Sequence, residues 1–203
     1  SAGGVETYIV QRYISHPLLI GGKKFDMRLY ALVTSWSPLV VWIYRSGFCR
    51  FSSTAYSSTE LDNMVAHLTN VAVQKKSSTY DADSGGKWEL RQLKLFLMSR
   101  HGLSVADAAF EAVQRIIIQS REAVQPVIIQ DRHCFELYGY DILFDQELKP
   151  WLLEVNGAPS LTANTTEDRR MKCDMLSSLL DVVDMEKRRS VSATNRELRA
   201  RFR

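Results

Sequence analysis

A mixed α/β (α+β) fold, one antiparallel sheet flanked by helices, is what the patterning of this chain predicts, and three observations carry it. Short apolar, β-branched runs separated by turns fill residues 5–51, two stripes of helical period fill 87–124, and a second pair of short apolar runs over 135–155 surrounds the turn DQELK. With 203 residues, 45% hydrophobic and 24% charged, the chain suits one globular unit with a sizeable core. No apolar run approaches the roughly 20 residues that cross a bilayer. The start SAGGVETY carries no signal-peptide pattern, so a cytoplasmic location is the default expectation. Cys49, Cys134 and Cys173 are odd in number and lack CxxC spacing, which argues against a disulfide framework or a zinc site; each is expected in the interior.

In chain order, Val5 to Ile14 is rich in β-branched and aromatic residues and reads as a strand. Pro17 and Gly21-Gly22 turn the chain. Phe25–Thr34, Leu39–Tyr44 and Phe48–Phe51 read as three further strands, in outline an antiparallel meander. The polar segment Ser52 to Gly86 is too long for a structureless connection and is expected to hold short helices or a functional loop. Lys87 to Arg100 and Ser104 to Val124 read as helices, the first closed by Gly102 and the second ended by Pro126. Phe135–Phe144 and Pro150–Val155 form a hairpin, and Asp168 to Val183 is a last amphipathic helix.

The stretch WLLEVNGAPSL, Trp151 to Leu161, runs an apolar strand that reads as buried into a carboxylate and a carboxamide. Glu154 and Asn156 are two apart, so on an extended strand they leave one face, with Leu152 on that face one step earlier. Either the strand end frays into a polar turn, or the oxygen pair binds a hard cation such as Mg²⁺. Asp141, set among Tyr140, Ile142, Leu143 and Phe144, comes close to Glu154 if the hairpin pairs through DQELK. Two carboxylates at that range repel strongly unless a divalent ion sits between them, and the spacing argues for magnesium over a structural salt bridge. Lys24, Asp26 and Arg28 alternate along one strand and share a face, which reads as either a phosphate-facing surface or a solvated edge. Arg45 and Arg50 bracket SGFC and add positive charge. Walker A, GxGxxG, GxSxG and HExxH motifs do not occur, and the four histidines suggest no metal set; His133 beside Cys134 reads as structural.

The charge is uneven. Residues 185–203 hold seven Lys or Arg against two Glu, so the first 184 carry about −2 although the chain carries +3. This basic stretch reads as a flexible tail, or as a contact for an acidic partner.

The blocks VQRYI, PLLIGGKKFDMRLY, the YR.GF.RF pattern, HLTN, GGKW, ELYGYDILFD and LKPWLLEVNGAPSL stand in an order that resembles the tubulin tyrosine ligase-like family. CFELYGYDIL and LKPWLLEVN look most like its polyglutamylase branch, particularly members associated with cilia and basal bodies. The resemblance implies an ATP-grasp-like fold, incomplete at the N-terminus. Residues 1–184 would be the C-terminal portion of a ligase catalytic domain and 185–203 a basic tail. The family carries a nucleotide-contacting lysine, a glycine-containing loop and a further domain upstream of the VQRYI-like block, so a longer parent enzyme is expected.

The implied reaction is ATP-dependent addition of free glutamate to glutamate side chains in the acidic tails of tubulin, through an acyl phosphate. Glycine or tyrosine ligation on the same scaffold, or a non-catalytic microtubule-binding fragment, are the alternatives. Asp141, Glu154 and Asn156 match the family's magnesium ligands. Gln11, Arg12, Tyr13 and Ile14 match the segment bordering the adenine, and Lys24, Asp26, Thr69 and Asn70 match nucleotide contacts. Arg28 matches a group facing the phosphates, and Arg50, Lys87 and Lys172 match cations that hold the incoming glutamate. Microtubules of the cytoskeleton, in a cilium, flagellar axoneme or basal body, are the implied setting.

Overall fold

The computed structural model describes residues 7–79, 86–129, 131 and 133–185. Its centre is one seven-stranded antiparallel sheet. The strands are β1 (Leu19–Ile20), β2 (Lys23–Trp36), β3 (Leu39–Ile43), β4 (Phe48–Phe51), β5 (Lys87–Glu89), β6 (Glu136–Phe144) and β7 (Pro150–Asn156). The helices are α1 (Met64–His67), α2 (Val71–Gln74), α3 (Leu90–His101), α4 (Leu103–Val124) and α5 (Thr166–Val183). The strand order β5-β4-β2-β6-β7 puts β2 in the middle, with β1 and β3 also paired to it.

β2 organises everything else because both of its faces are covered. Phe25, Met27, Leu29, Ala31 and Val33 point into the main core against Leu93 and Leu97 of α3 and Ala106, Ala109, Val113 and Ile117 of α4. The alternate residues Lys24, Asp26, Arg28 and Tyr30 point the other way, and Tyr30 packs with Phe48 of β4 and Met175 of α5. A strand buried on both sides usually reads as a continuous apolar run; here one side is charged, which is possible only where partners neutralise the charges.

Gly21 and Gly22, with φ of 60° and 73°, make the tight turn from β1 to β2 that a side chain would strain. β3 and β4 lie one after the other along the same edge of β2, residues 31–36 pairing with β3 and 25–28 with β4. The expected meander is therefore corrected: β4 skips β3 and returns to β2. Gly47 permits this, because a Cβ there would lie 2.5 Å from the backbone oxygen of Arg28.

Four further readings change. Residues 7–14 form no strand, and residues 5 and 6 lie outside the described set; Ile9 and Val10 are 88% and 94% exposed, so their β propensity meets no pleated surface to fit. Lys87–Glu89 is a strand on β4 before helix α3 begins, because pairing to Phe48–Arg50 overrides the helical stripe. β7 is an edge strand with Leu152 and Leu153 exposed, not a buried one. Cys49 is buried, but Cys134 and Cys173 are exposed. The segment 52–79 carries α1 and α2, as its length required. His133 is exposed and pairs with Asp131 at 3.2 Å. The basic stretch lies outside the described residues except for Met185.

Replacing Gly47 with alanine is expected to cost about 1–3 kcal/mol by forcing β4 off β2. A lower urea midpoint with an unchanged m-value is the measurement that checks it.

Candidate active site

The charged face of β2 meets β4 on one side and β6 on the other, and the register decides which charges touch. Asp26 stands opposite Arg50, and Arg28 stands opposite Asp141. Arg50 Nε donates to both oxygens of Asp26 at 3.1 Å, and its Nη2 reaches Asp141 Oδ2 at 2.7 Å. Arg28 grips Asp141 in bidentate fashion, through Nε to Oδ1 and through Nη2 to Oδ2 at 3.0 Å. Two carboxylates and two guanidiniums thus alternate in a chain across three strands, all of it largely buried.

The pKa directions follow from this. Burial alone would raise the pKa of Asp141, but the Arg28 hydrogen bonds and the Arg50 charge outweigh it and hold the group below the usual carboxylate range. For Arg50, burial works against the charged form, and the charge and hydrogen bonds of Asp26 reverse it and raise the pKa. The expected repulsion between bare carboxylates is corrected accordingly: two arginines already balance Asp141, so its burial by itself does not call for a metal.

β7 completes the cluster. Glu154 stands opposite Asp141, and Asn156 stands opposite Gly139. Asn156 Nδ2 donates to Glu154 Oε1 at 3.2 Å. The hairpin turn that brings β7 here is built around Asp145, whose Oδ1 accepts from the backbone of Glu147 and Lys149 and whose Oδ2 accepts from Trp151 Nε1 at 2.8 Å. A bulge between β6 and β7 pairs Leu152 with Ile142, not with the Asp141 side, so Leu152 does not share the face of Glu154 as strict alternation predicts. The three oxygen-bearing side chains, Asp141, Glu154 and Asn156, are nevertheless adjacent. Among the described residues no three His, Cys, Asp or Glu side chains cluster as a metal site; this set has two carboxylates and a carboxamide. Hard oxygens of that kind fit magnesium, with Glu154 exposed and able to turn toward it.

A second group of charges lies beyond Arg50. Lys87, paired in register with Arg50, donates to Asp168 Oδ2 at 2.7 Å, and Lys172 lies 3.0 Å from Asp168 Oδ1. Both ammonium groups sit over the ring of Phe48, at 4.5 and 5.6 Å from its centroid. Burial lowers the pKa of Lys172, and Asp168 opposes that shift. Lys172 is buried, with 5% of its surface exposed.

The remaining sequence candidates are placed less uniformly. Lys24 is buried and donates to the Tyr13 hydroxyl at 3.0 Å, while that hydroxyl also contacts His67 Nδ1 at 2.7 Å. This ties the segment of exposed Gln11 and Arg12 and half-buried Ile14 to the charged face. Asn70 caps α2, accepting from the backbone of Val73 at 2.9 Å, and the structure does not bring it or half-buried Thr69 into the ion-pair network. Asp168, Phe48 and His67 were missed by sequence reasoning. The i, i+4 spacing of Asp168 and Lys172 behind the cap Thr165 was the available signal.

The model of the tubulin-tyrosine ligase family matches residues 3–191. The chain belongs to that family. It is 52% identical over 184 residues to a probable tubulin polyglutamylase of Bos taurus, covering 91% of this chain and 40% of that protein. A probable tubulin polyglutamylase of Caenorhabditis elegans is 52% identical over 181 residues, covering 89% and 43%. A probable alpha-tubulin polyglutamylase of Tetrahymena thermophila is 48% identical over 180 residues, covering 88% and 44%. The chain therefore spans about two fifths of the length of these relatives.

Asp141→Asn is expected to lose about 3–5 kcal/mol of stability, the scale of leaving buried charges unpaired. Because the pKa of Asp141 is lowered in the folded state, its contribution is full above the unfolded value of about 3.9 and is lost as pH falls through the folded value. Melting curves between pH 6 and 2 check both parts: the variant melts lower at pH 6 and shows the shallower acid limb.

Proposed function

We propose that this chain is the C-terminal part of the catalytic domain of an ATP-dependent tubulin polyglutamylase. The observation that carries the reading is the joint arrangement of Arg28, Arg50, Lys87 and Lys172 with Asp141, Glu154 and Asn156 on one side of the sheet. Relatives named as polyglutamylases at about half identity support the choice of reaction.

In the proposed reaction a carboxylate oxygen of a glutamate in the tubulin tail attacks the γ-phosphorus of ATP and ADP leaves. The neutral amine of free glutamate then attacks the acyl carbon and a C–N bond forms as the C–O bond breaks; phosphate departs with that electron pair and takes up the proton lost from nitrogen. Both steps gather negative charge at oxygens, and fixed cations stabilise it more in the transition state than before it. Asp141, Glu154 and Asn156 would hold magnesium, which supplies charge neutralisation to the phosphates. Arg28 and Arg50, clamped by Asp141 and Asp26, present guanidinium edges whose orientation is fixed in advance. Lys24 and Asp26 would contact the nucleotide from the same strand, with the Gln11–Ile14 segment bordering the adenine, and Thr69 and Asn70, which lie outside the ion-pair network, would contact it from the polar segment. Lys87 and Lys172 would take the carboxylates of the incoming glutamate. The partners in this reading are the acidic tails of tubulin in microtubules, with cilia and basal bodies the expected location. Among the described residues no helix is long and apolar enough to cross a membrane.

The test is transfer of labelled glutamate to microtubules by the full-length protein and by its Glu154→Gln variant. Glu154 is exposed, so the melting temperature should stay the same while transfer falls about 100-fold or more. Undiminished transfer by the variant would remove the assignment, and microtubule binding without transfer by the wild type would favour a non-catalytic role.

A further inference from the structure

The proposed reaction gives no role to Asp168, a buried carboxylate between Lys87 and Lys172. Asp168, in the first turn of α5, is 6% exposed. Its Oδ2 accepts from Lys87 at 2.7 Å, from Lys172 at 3.2 Å and from the backbone N–H of Asn164 at 3.3 Å. Its Oδ1 differs. Lys172 Nζ lies 3.0 Å away as an ion contact, yet no donor among the described residues is aligned to hydrogen-bond it.

The Tyr30 hydroxyl, fully buried on β2, is likewise without a hydrogen-bond partner among the described residues. Burial pushes its pKa up to about 12; Arg28 and Arg50 nearby oppose the rise and the charge of Asp168 adds to it. Buried polar atoms are nearly always partnered, so an unmatched acceptor and an unmatched hydroxyl in one charged neighbourhood point to a polar ligand group between or beside them. A cavity of about 610 Å³, lined in part by Phe48, Lys87, Thr165, Asp168 and Met171, opens at this place.

We propose that Asp168 Oδ1 accepts a hydrogen bond from the α-ammonium group of the incoming free amino acid, while Lys87 and Lys172 take its carboxylates. The inference rests on the ligase reading above and adds the recognition of the amine. A free amino acid is a zwitterion, and a site made of cations alone would repel its ammonium group. Asp26 is committed to Arg50, and Asp141 and Glu154 belong to the proposed magnesium set with Asn156. Asp168 stays ionised and so can accept from an ammonium group, because Lys87 and Lys172 outweigh the upward push of burial and hold its pKa below the usual carboxylate range. The ring of Phe48 under both ammonium groups keeps the lysines in place when Oδ1 turns to the ligand.

A purely structural Asp168, one that only separates two lysines, would affect every dicarboxylate alike. Glutarate, which is glutamate without its amine, therefore separates the two roles. Dissociation constants for glutamate and glutarate are measured on the full-length protein with a non-hydrolysable ATP analogue, for the wild type and for Asp168→Asn. The wild type is expected to bind glutamate about tenfold or more tighter than glutarate, the scale of one hydrogen bond to a charged group. In Asp168→Asn glutamate binding weakens by a similar factor while glutarate binding holds or tightens, so the preference collapses. Equal weakening of both ligands overturns the proposal. So does a wild type that binds the two equally, a result that needs no folded variant. A wild type that binds both ligands but transfers no glutamate to microtubules would overturn the ligase reading, and this inference with it.

Discussion

The chain of buried charges Asp26, Arg50, Asp141 and Arg28 constrains the rest of the structure. Each member comes from a strand that must lie in one register for the charges to meet: Asp26 opposite Arg50 on β4, Arg28 opposite Asp141 on β6. A slip of one residue in either pairing would turn a guanidinium or a carboxylate toward Leu93 and Ile117, where its burial is far more costly than any packing gain. Buried ion pairs contribute little net stability compared with apolar side chains of similar volume, so their service here is to specify register. Register is also what delivers the neighbouring groups. Arg50 opposite Lys87 and Asp141 opposite Glu154 are the next rungs of the same ladder.

The two faces of β2 divide the labour. The odd-numbered residues from Phe25 to Val33 take α3 and α4 and supply the apolar burial that holds the sheet. On the even-numbered face α5 packs around Tyr30, Phe48 and Met175, and the buried charged stretch from Lys24 to Arg28 continues along the same face. A rigid strand carrying chemistry on one side and core on the other keeps its side chains aimed more firmly than a loop could. Lys24, Asp26 and Arg28 were legible in the sequence for this reason: alternation along a strand survives whatever packs around it. The approach of Asp141 to Glu154 was legible too, since a hairpin through DQELK leaves few other registers.

What escaped the sequence shares a physical cause, dependence on partners distant in the chain. Lys87–Glu89 carries a helical stripe, yet becomes a strand because β4 offers an edge to pair with. Val5–Ile14 carries strand propensity, yet residues 7–14 form none, since propensity of this kind measures fit to a neighbouring surface. The bulge at Leu153 breaks an alternation that local spacing implies. Asp168 reads as one more acid at a helix start; only the fold sets it between Lys87, 81 residues away, and Lys172.

The charge balance of the site bears on the cofactor it would use. Lys24, Arg28, Arg50, Lys87 and Lys172 face Asp26, Asp141, Glu154 and Asp168, a surplus of one positive charge. A nucleotide triphosphate carries several negative charges, and a nearly neutral lattice cannot compensate them at close range. The guanidiniums are already shared with carboxylates, so their field is directional and short in reach. On the proposed reading the deficit is met where the surplus oxygens are, at Glu154 and Asn156 beside Asp141, by a divalent cation that couples protein carboxylates to phosphate. Under that proposal magnesium dependence would follow from the same pairing that fixes the register, because arginines locked to Asp26 and Asp141 could not neutralise the phosphates alone.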